Sequence, residues 1–158
     1  MPDRQNNQRI GHFSIEKDCN MSQGGNANIN GARLEKRVEL LFNMHNVAYL
    51  KQHSYKSIYA HNAKMDFYLT AFDIAVECKN QEGAGSVAEK IPYVMESFEQ
   101  HPAKKALLIL GGAYWPIKPG IKTWAEARAK KSDKYIQVIY EDELGAWLEQ
   151  TNKWGTTK

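Results

Sequence analysis

A chain of 158 residues is long enough for one domain with a sizeable core and too short for two ordinary ones. Apolar residues at 42% and charged residues at 25% are the balance of a soluble globular protein, and no run approaches the roughly 20 apolar residues of a membrane span. The net charge of +3 excludes an extreme polyanion or polycation. Cys19 and Cys78 supply neither a disulfide framework nor zinc-site spacing.

The first residues, Met1-Pro2-Asp3-Arg4-Gln5-Asn6-Asn7, form no apolar segment of a secretory signal, so a cytoplasmic location is expected. Residues 1–30 are rich in Asn, Gln, Gly and Ser without periodicity and read as a flexible polar arm, with a short ordered piece around 10–13. Asn28 or Asn30 can cap a helix starting near Gly31. Leu34, Val38, Leu41 and Phe42 then recur at helical spacing to about Asn46. Residues 47–59, 65–70 and 74–79 alternate as three strands, the last two joined by a tight connection near Ala71-Phe72. Ser86 can cap a helix to about Gln100, and residues 105–110 are a continuous apolar run, as in a strand covered on both faces. After the Gly111-Gly112 break come a loop, a basic helix over 122–131, a strand over 135–140 and a helix over 141–150. The expected fold is an α/β sandwich with a mixed central sheet flanked by helices. The domain is expected over residues 31–152, followed by a tail over 153–158.

Charge is unevenly placed. Between His101 and Lys134 eight basic residues stand against Glu126 and Asp133, so this segment carries +6 and the rest of the chain −3. Cations beside an acidic centre suit a protein that grips phosphates and holds a metal ion. Lys118, Lys122, Arg128, Lys130 and Lys131 are the candidate DNA-backbone contacts in this segment.

The acidic centre is Asp66 with Glu77-Cys78-Lys79. Alternation puts Glu77 and Lys79 on one face of their strand, with Cα atoms about 7 Å apart. A turn centred on Ala71-Phe72 sets Asp66 directly across from Glu77, with Cβ atoms about 5 Å apart. Two carboxylates at that spacing can share a Mg²⁺ with oxygen distances of roughly 2.1 Å. Lys79 can orient or activate a water and offset charge on a scissile phosphate. The Cys78 thiol turns inward, leaving its backbone carbonyl as a metal ligand. Glu35 and Glu39 share one face of the first helix at i, i+4, and either could reach the site. His12, His45, His53, His61 and His101 show no metal-binding pair and read as surface or half-buried residues.

These residues resemble the PD-(D/E)XK nuclease superfamily, the restriction-endonuclease-like fold. Asp66 takes the place of its aspartate, Glu77 and Lys79 match (D/E)XK, and Gly31-Ala32-Arg33-Leu34-Glu35 is similar to its first-helix Gly-x-x-x-Glu. Met65 stands where the motif's proline would be. The expected order of elements also resembles the αβββαβ core over roughly residues 31–140. Gly85-Ser86-Val87-Ala88-Glu89-Lys90-Ile91-Pro92-Tyr93 and Leu110-Gly111-Gly112-Ala113-Tyr114-Trp115-Pro116 are similar to segments of some type II restriction-endonuclease-like proteins. The resemblance implies Glu35 as the residue supporting the site, and Gln81 and Lys90 as DNA contacts.

The implied activity is that of a Mg²⁺-dependent endonuclease, with Mn²⁺ able to substitute, hydrolysing phosphodiester bonds in double-stranded DNA. A sequence-specific restriction type is expected, acting as a homodimer because one site per chain must cut two strands. A Holliday-junction resolvase or homing-type nuclease of the same fold is the alternative, and a catalytically silent DNA-binding subunit is the non-enzymatic one.

Overall fold

The computed structural model describes residues 23–154. Helix α1 (Gln23–Met44) leads into strands β1 (Leu50–Lys56), β2 (Asn62–Leu69) and β3 (Ile74–Asn80). Helix α2 (Ile91–Gln100), strand β4 (Lys105–Gly111), the short α3 (Tyr114–Ile117) and α4 (Gly120–Lys130) follow. Strand β5 (Tyr135–Tyr140) and helix α5 (Leu144–Trp154) complete the fold. The strands form one sheet in the order β1-β2-β3-β4-β5, antiparallel from β1 to β3 and parallel from β3 to β5. The expected mixed sheet flanked by helices is what the chain forms.

Two apolar layers cover the sheet. On one face Leu34, Val38 and Phe42 of α1 and Leu144, Trp147 and Leu148 of α5 meet Phe67, Val76, Cys78, Leu107 and Ile109. On the other, Val94, Met95 and Phe98 of α2 and Ala125 and Ala129 of α4 meet Met65, Ala75, Leu108 and Val138. Residues 106–111 of β4 are all buried, as a central parallel strand covered on both faces requires.

Helix α1 begins at Gln23, well before the expected start at Gly31. Its Asn- and Gly-rich first turns are poor helix formers, but a helix nucleated by the buried Leu34–Val38–Phe42 stripe extends at little cost per residue. Residues 23–30 are therefore helical where an arm was expected. The remainder of that arm, the piece at 10–13 and the end of the expected tail lie outside the described residues. Ser86 makes no side-chain cap; a 3₁₀ turn at Val87–Lys90 precedes α2, whose first turn holds Pro92. Proline fits there because the first helical N–H groups have no partner within the helix.

β2 and β3 pair as Phe67↔Val76, Tyr68↔Ala75 and Leu69↔Ile74, the register set by a turn centred on Ala71-Phe72. Ala71-Phe72 itself is not the strained part of this turn. The left-handed residue is Asp73, with φ 57°, and its carboxylate accepts bonds from the Tyr68 hydroxyl and the Lys104 N–H.

One irregularity positions the site. Phe67 and Leu69 face α1, yet Met65 belongs to the layer under α2, so the alternation of β2 reverses at Asp66. Opposite Asp66 in the β1–β2 register stands Gln52, left-handed at φ 52°, and this pair is missing from the ladder. The register is the same on both sides of the gap, so no residue is inserted; the left-handed kink turns the strands over instead.

Candidate active site

The site lies where β2 and β3 part. Their ladder stops at Phe67↔Val76, one pair before Asp66 and Glu77 would face each other. In place of that pair, the Asp66 N–H approaches Glu77 Oε2 at 3.4 Å and the Cys78 N–H donates to Asp66 Oδ2 at 2.8 Å. A strand residue directs its N–H and C=O to the same side. The Cys78 carbonyl therefore points towards the gap holding Asp66, while its thiol is buried among α1 and sheet residues.

Lys79 Nζ donates to Glu77 Oε1 at 3.2 Å, with both side chains largely buried. Burial alone would lower the Lys79 pKa, but Glu77 and Asp66 outweigh it and the ammonium is held above its ordinary range. Burial, and then the Asp66 charge, push Glu77 up to about 7. Glu35 is also raised to about 7, by burial and by the neighbouring Asp66 carboxyl to which it hydrogen-bonds. Burial raises the Cys78 thiol well above its usual range, so it is an inert core group.

Glu35 and Glu39 have different surroundings. Glu35 lines a cleft of about 280 Å³ with Asp66, Cys78, Lys79 and Lys90, whereas Glu39 Oε2 pairs with Lys51 at 3.0 Å. Glu77 opens to a second cleft on the α2 side, and Lys79 and Lys90 border both. Among the described residues no three His, Cys, Asp or Glu side chains converge as a metal-ligand cluster. The donor set present is a pair of carboxylates, Asp66 and Glu77, with a carbonyl directed towards the same gap.

Gln81, expected as a DNA contact, is buried. It is 5% exposed, its Nε2 donates to the Gly83 carbonyl at 2.9 Å, and its Oε1 accepts the Ala88 N–H at 2.8 Å. It folds the 82–88 loop and caps the 3₁₀ turn that Ser86 leaves uncapped. The basic segment is likewise dispersed. Lys122 pairs with Glu126 and lies over the Tyr140 ring, and Arg128 pairs with Glu96 and Glu99. The parallel strands run from the end holding Lys105 and Tyr135 to the end holding Lys79, Gly111 and Tyr140. Helix α4 returns along them, which puts Lys130 and Lys131 near the start of β5, at the opposite end of the sheet from Lys79. Lys118 and Lys122 stay at the site end.

Sequence reasoning also missed the burial of His101 and its pairing with the half-buried His53. His101 is 1% exposed, and its Nδ1 accepts the Ala103 N–H at 3.0 Å. Its Nε2 must then carry the proton that bridges to His53 Nδ1 at 2.8 Å. Burial, then His53, hold His101 down at about 4, so it is a neutral structural group. No i, i+4 spacing could have revealed it, because the partners come from β1 and from the residue after α2.

No helix among the described residues is long and apolar enough to cross a membrane. No curated protein and no solved structure matches the chain significantly. Residues 26–154, which run from within α1 to the end of α5, match the PD-(D/E)XK nuclease superfamily domain. Nucleases of this kind hydrolyse phosphodiester bonds. By that match over most of its length, the chain belongs to the PD-(D/E)XK nuclease superfamily.

Proposed function

We propose that the protein is a divalent-metal-dependent endonuclease that cuts double-stranded DNA, with Asp66, Glu77 and Lys79 as its reacting centre. The observation that carries this reading is the break in the β2–β3 ladder, which brings two carboxylates and an ammonium to one gap. Like charges so close, with two carboxyls raised to about 7, are relieved by a cation. Hard oxygen donors suit Mg²⁺ or Mn²⁺, and Asp66, Glu77 and the Cys78 carbonyl would hold it. When bound, such a cation supplies charge neutralisation and acidifies coordinated water.

The chain's own residues divide the remaining work. Lys79, held protonated, stabilises the charge that builds on the scissile phosphate rather than removing a proton. Glu35, with its pKa near 7, is suited to take up the proton released by the attacking water. Lys90, exposed beside both clefts, contacts the DNA backbone. Two strands and one site per chain call for a homodimer, and a two-fold symmetric enzyme favours a palindromic, restriction-type target.

Incubating plasmid and four-way junctions with the protein in Mg²⁺ and in EDTA tests the reading. Discrete plasmid fragments in Mg²⁺ alone support it, and cutting of junctions alone would make the protein a resolvase. No cleavage of any substrate would leave a DNA-binding subunit.

A further inference from the structure

The cleft on the α2 side of Glu77 has a volume of about 490 Å³. That is the range of a small-molecule site, too small for a paired duplex. Its walls include Tyr55, Lys64, Lys79, Lys90, Tyr93 and Ser97, and the proposed hydrolysis gives no role to Tyr55, Lys64 or Tyr93. The two tyrosines are held differently. Tyr55 is partly buried with its hydroxyl bonded to Ser97, and Ser97 Oγ in turn donates to the Tyr93 carbonyl at 2.9 Å. These bonds fix the floor of the cleft to α2. Tyr93, by contrast, is 44% exposed, and the exposed Lys64 and Lys90 line the same cleft.

An exposed tyrosine that shares a cleft with lysines favours a ligand that is flat, unsaturated and anionic. The three lysines of the cleft outnumber its two acids, Glu77 and Glu89, so the charge balance also favours an anion. A nucleotide combines these properties: bases stack on aromatic side chains whatever their identity, and phosphate is drawn to lysine. The cleft also borders Lys79, so a nucleotide held there is continuous with a phosphate at the reacting centre. The run from Gly85 to Tyr93 gains a purpose by this, since its Val87–Lys90 turn and the start of α2 place Glu89, Lys90 and Tyr93 on one wall.

We propose that this cleft binds one unpaired nucleotide of the strand being cut, its base against Tyr93 and its phosphate between Lys64 and Lys90. The proposal rests on the nuclease reading above and narrows its substrate. A base enters the cleft only after leaving the duplex stack, so DNA with an unpaired or mismatched base beside the cut is the preferred substrate.

The test is fluorescence anisotropy with two labelled probes in EDTA at low salt: a short single-stranded oligothymidylate and an abasic chain of equal length. The wild type is expected to bind the thymidylate about tenfold more tightly than the abasic chain. Tyr93→Phe keeps that preference and Tyr93→Leu abolishes it, while Lys64→Ala with Lys90→Ala weakens both probes alike. Equal binding of the two probes by the wild type, absence of binding to either, or a preference surviving in Tyr93→Leu overturns the proposal. Failure of the nuclease reading is a separate result: Lys79→Ala would still cut DNA, whatever the probes show.

Discussion

Asp66 Oδ2 accepts the backbone N–H of Cys78 at 2.8 Å, a bond that a strand partner would otherwise provide. The carboxylate thus closes the fold at the point where it opens the site. Asp66→Asn retains an acceptor oxygen for Cys78, so it is expected to fold as the wild type and to lose cleavage. Asp66→Ala leaves that N–H unpaired and is expected to be less stable than Asp66→Asn by about 1–3 kcal/mol. Urea denaturation of the two variants measures the difference; equal stabilities would mean the bond is not what joins these strands.

The raised carboxyls make stability depend on pH and metal together. Glu77 and Glu35 lie at about 7 in the folded chain against 4.5 for the ordinary group, so the folded state binds more protons within that window. Stability from these groups therefore falls as pH rises through the window, and the loss is complete above it. His101, lowered to about 4, acts in the opposite sense chiefly below pH 6.5, so above 6.5 the two carboxyls dominate. Without metal the wild-type melting temperature is expected to fall between pH 6.5 and 8, and Glu77→Gln to flatten that fall. Mg²⁺ should restore the wild type at pH 8 and leave Glu77→Gln unmoved. Calorimetric melts with and without Mg²⁺ measure both effects, and an equal Mg²⁺ response in the two proteins would remove Glu77 from the metal site.

Much of this arrangement is legible in the residues, for physical reasons that can be named. The apolar alternation of Phe67 and Leu69 against Ile74 and Val76 allows one register that buries all four, and the chain adopts it. The continuous apolar run of β4 could only be a strand covered on both faces. What could not be read were departures from local rules. Gln52 takes a left-handed φ that glycine or asparagine would normally signal, and without it Asp66 would not lie where the alternation of β2 reverses. Gln81 looks like a polar residue at the end of the strand that bears Glu77 and Lys79, yet tertiary contacts turn it inward to build a loop. Charge clustered in sequence around Lys122–Lys131 is spread along a helix whose two ends lie at opposite ends of the sheet.

The loop that Gln81 builds depends on a single glycine. Gly112 has φ 97°, and a Cβ there would lie 2.4 Å from the Gln81 carbonyl oxygen, a backbone atom that cannot swing aside. Gly112→Ala is expected to destabilise the protein by on the order of 3 kcal/mol. Gly120, whose Cβ would meet nothing within 4 Å, supplies the control, and Gly120→Ala should cost far less. Chemical denaturation of both variants checks the contrast.

The two ends of the basic segment should differ in DNA binding. Lys130 and Lys131 lie at the sheet end opposite Lys79 and outside both clefts, so replacing both with alanine is expected to change duplex affinity by less than about twofold at moderate salt. Lys90→Ala, beside both clefts, should weaken binding more and reduce its salt dependence. Anisotropy titrations against salt distinguish them; a larger loss from the Lys130 and Lys131 pair would relocate the DNA path.

The claim at the centre is that Asp66, Glu77 and Lys79 form a hydrolytic site, and Mg²⁺-dependent DNA cleavage by wild type and Lys79→Ala measures it most directly. The wild type should cut in Mg²⁺ and not in EDTA. Lys79→Ala should retain its fold and its DNA affinity while losing cleavage by at least about a hundredfold. Undiminished cutting by Lys79→Ala, with DNA binding unchanged, would contradict the account.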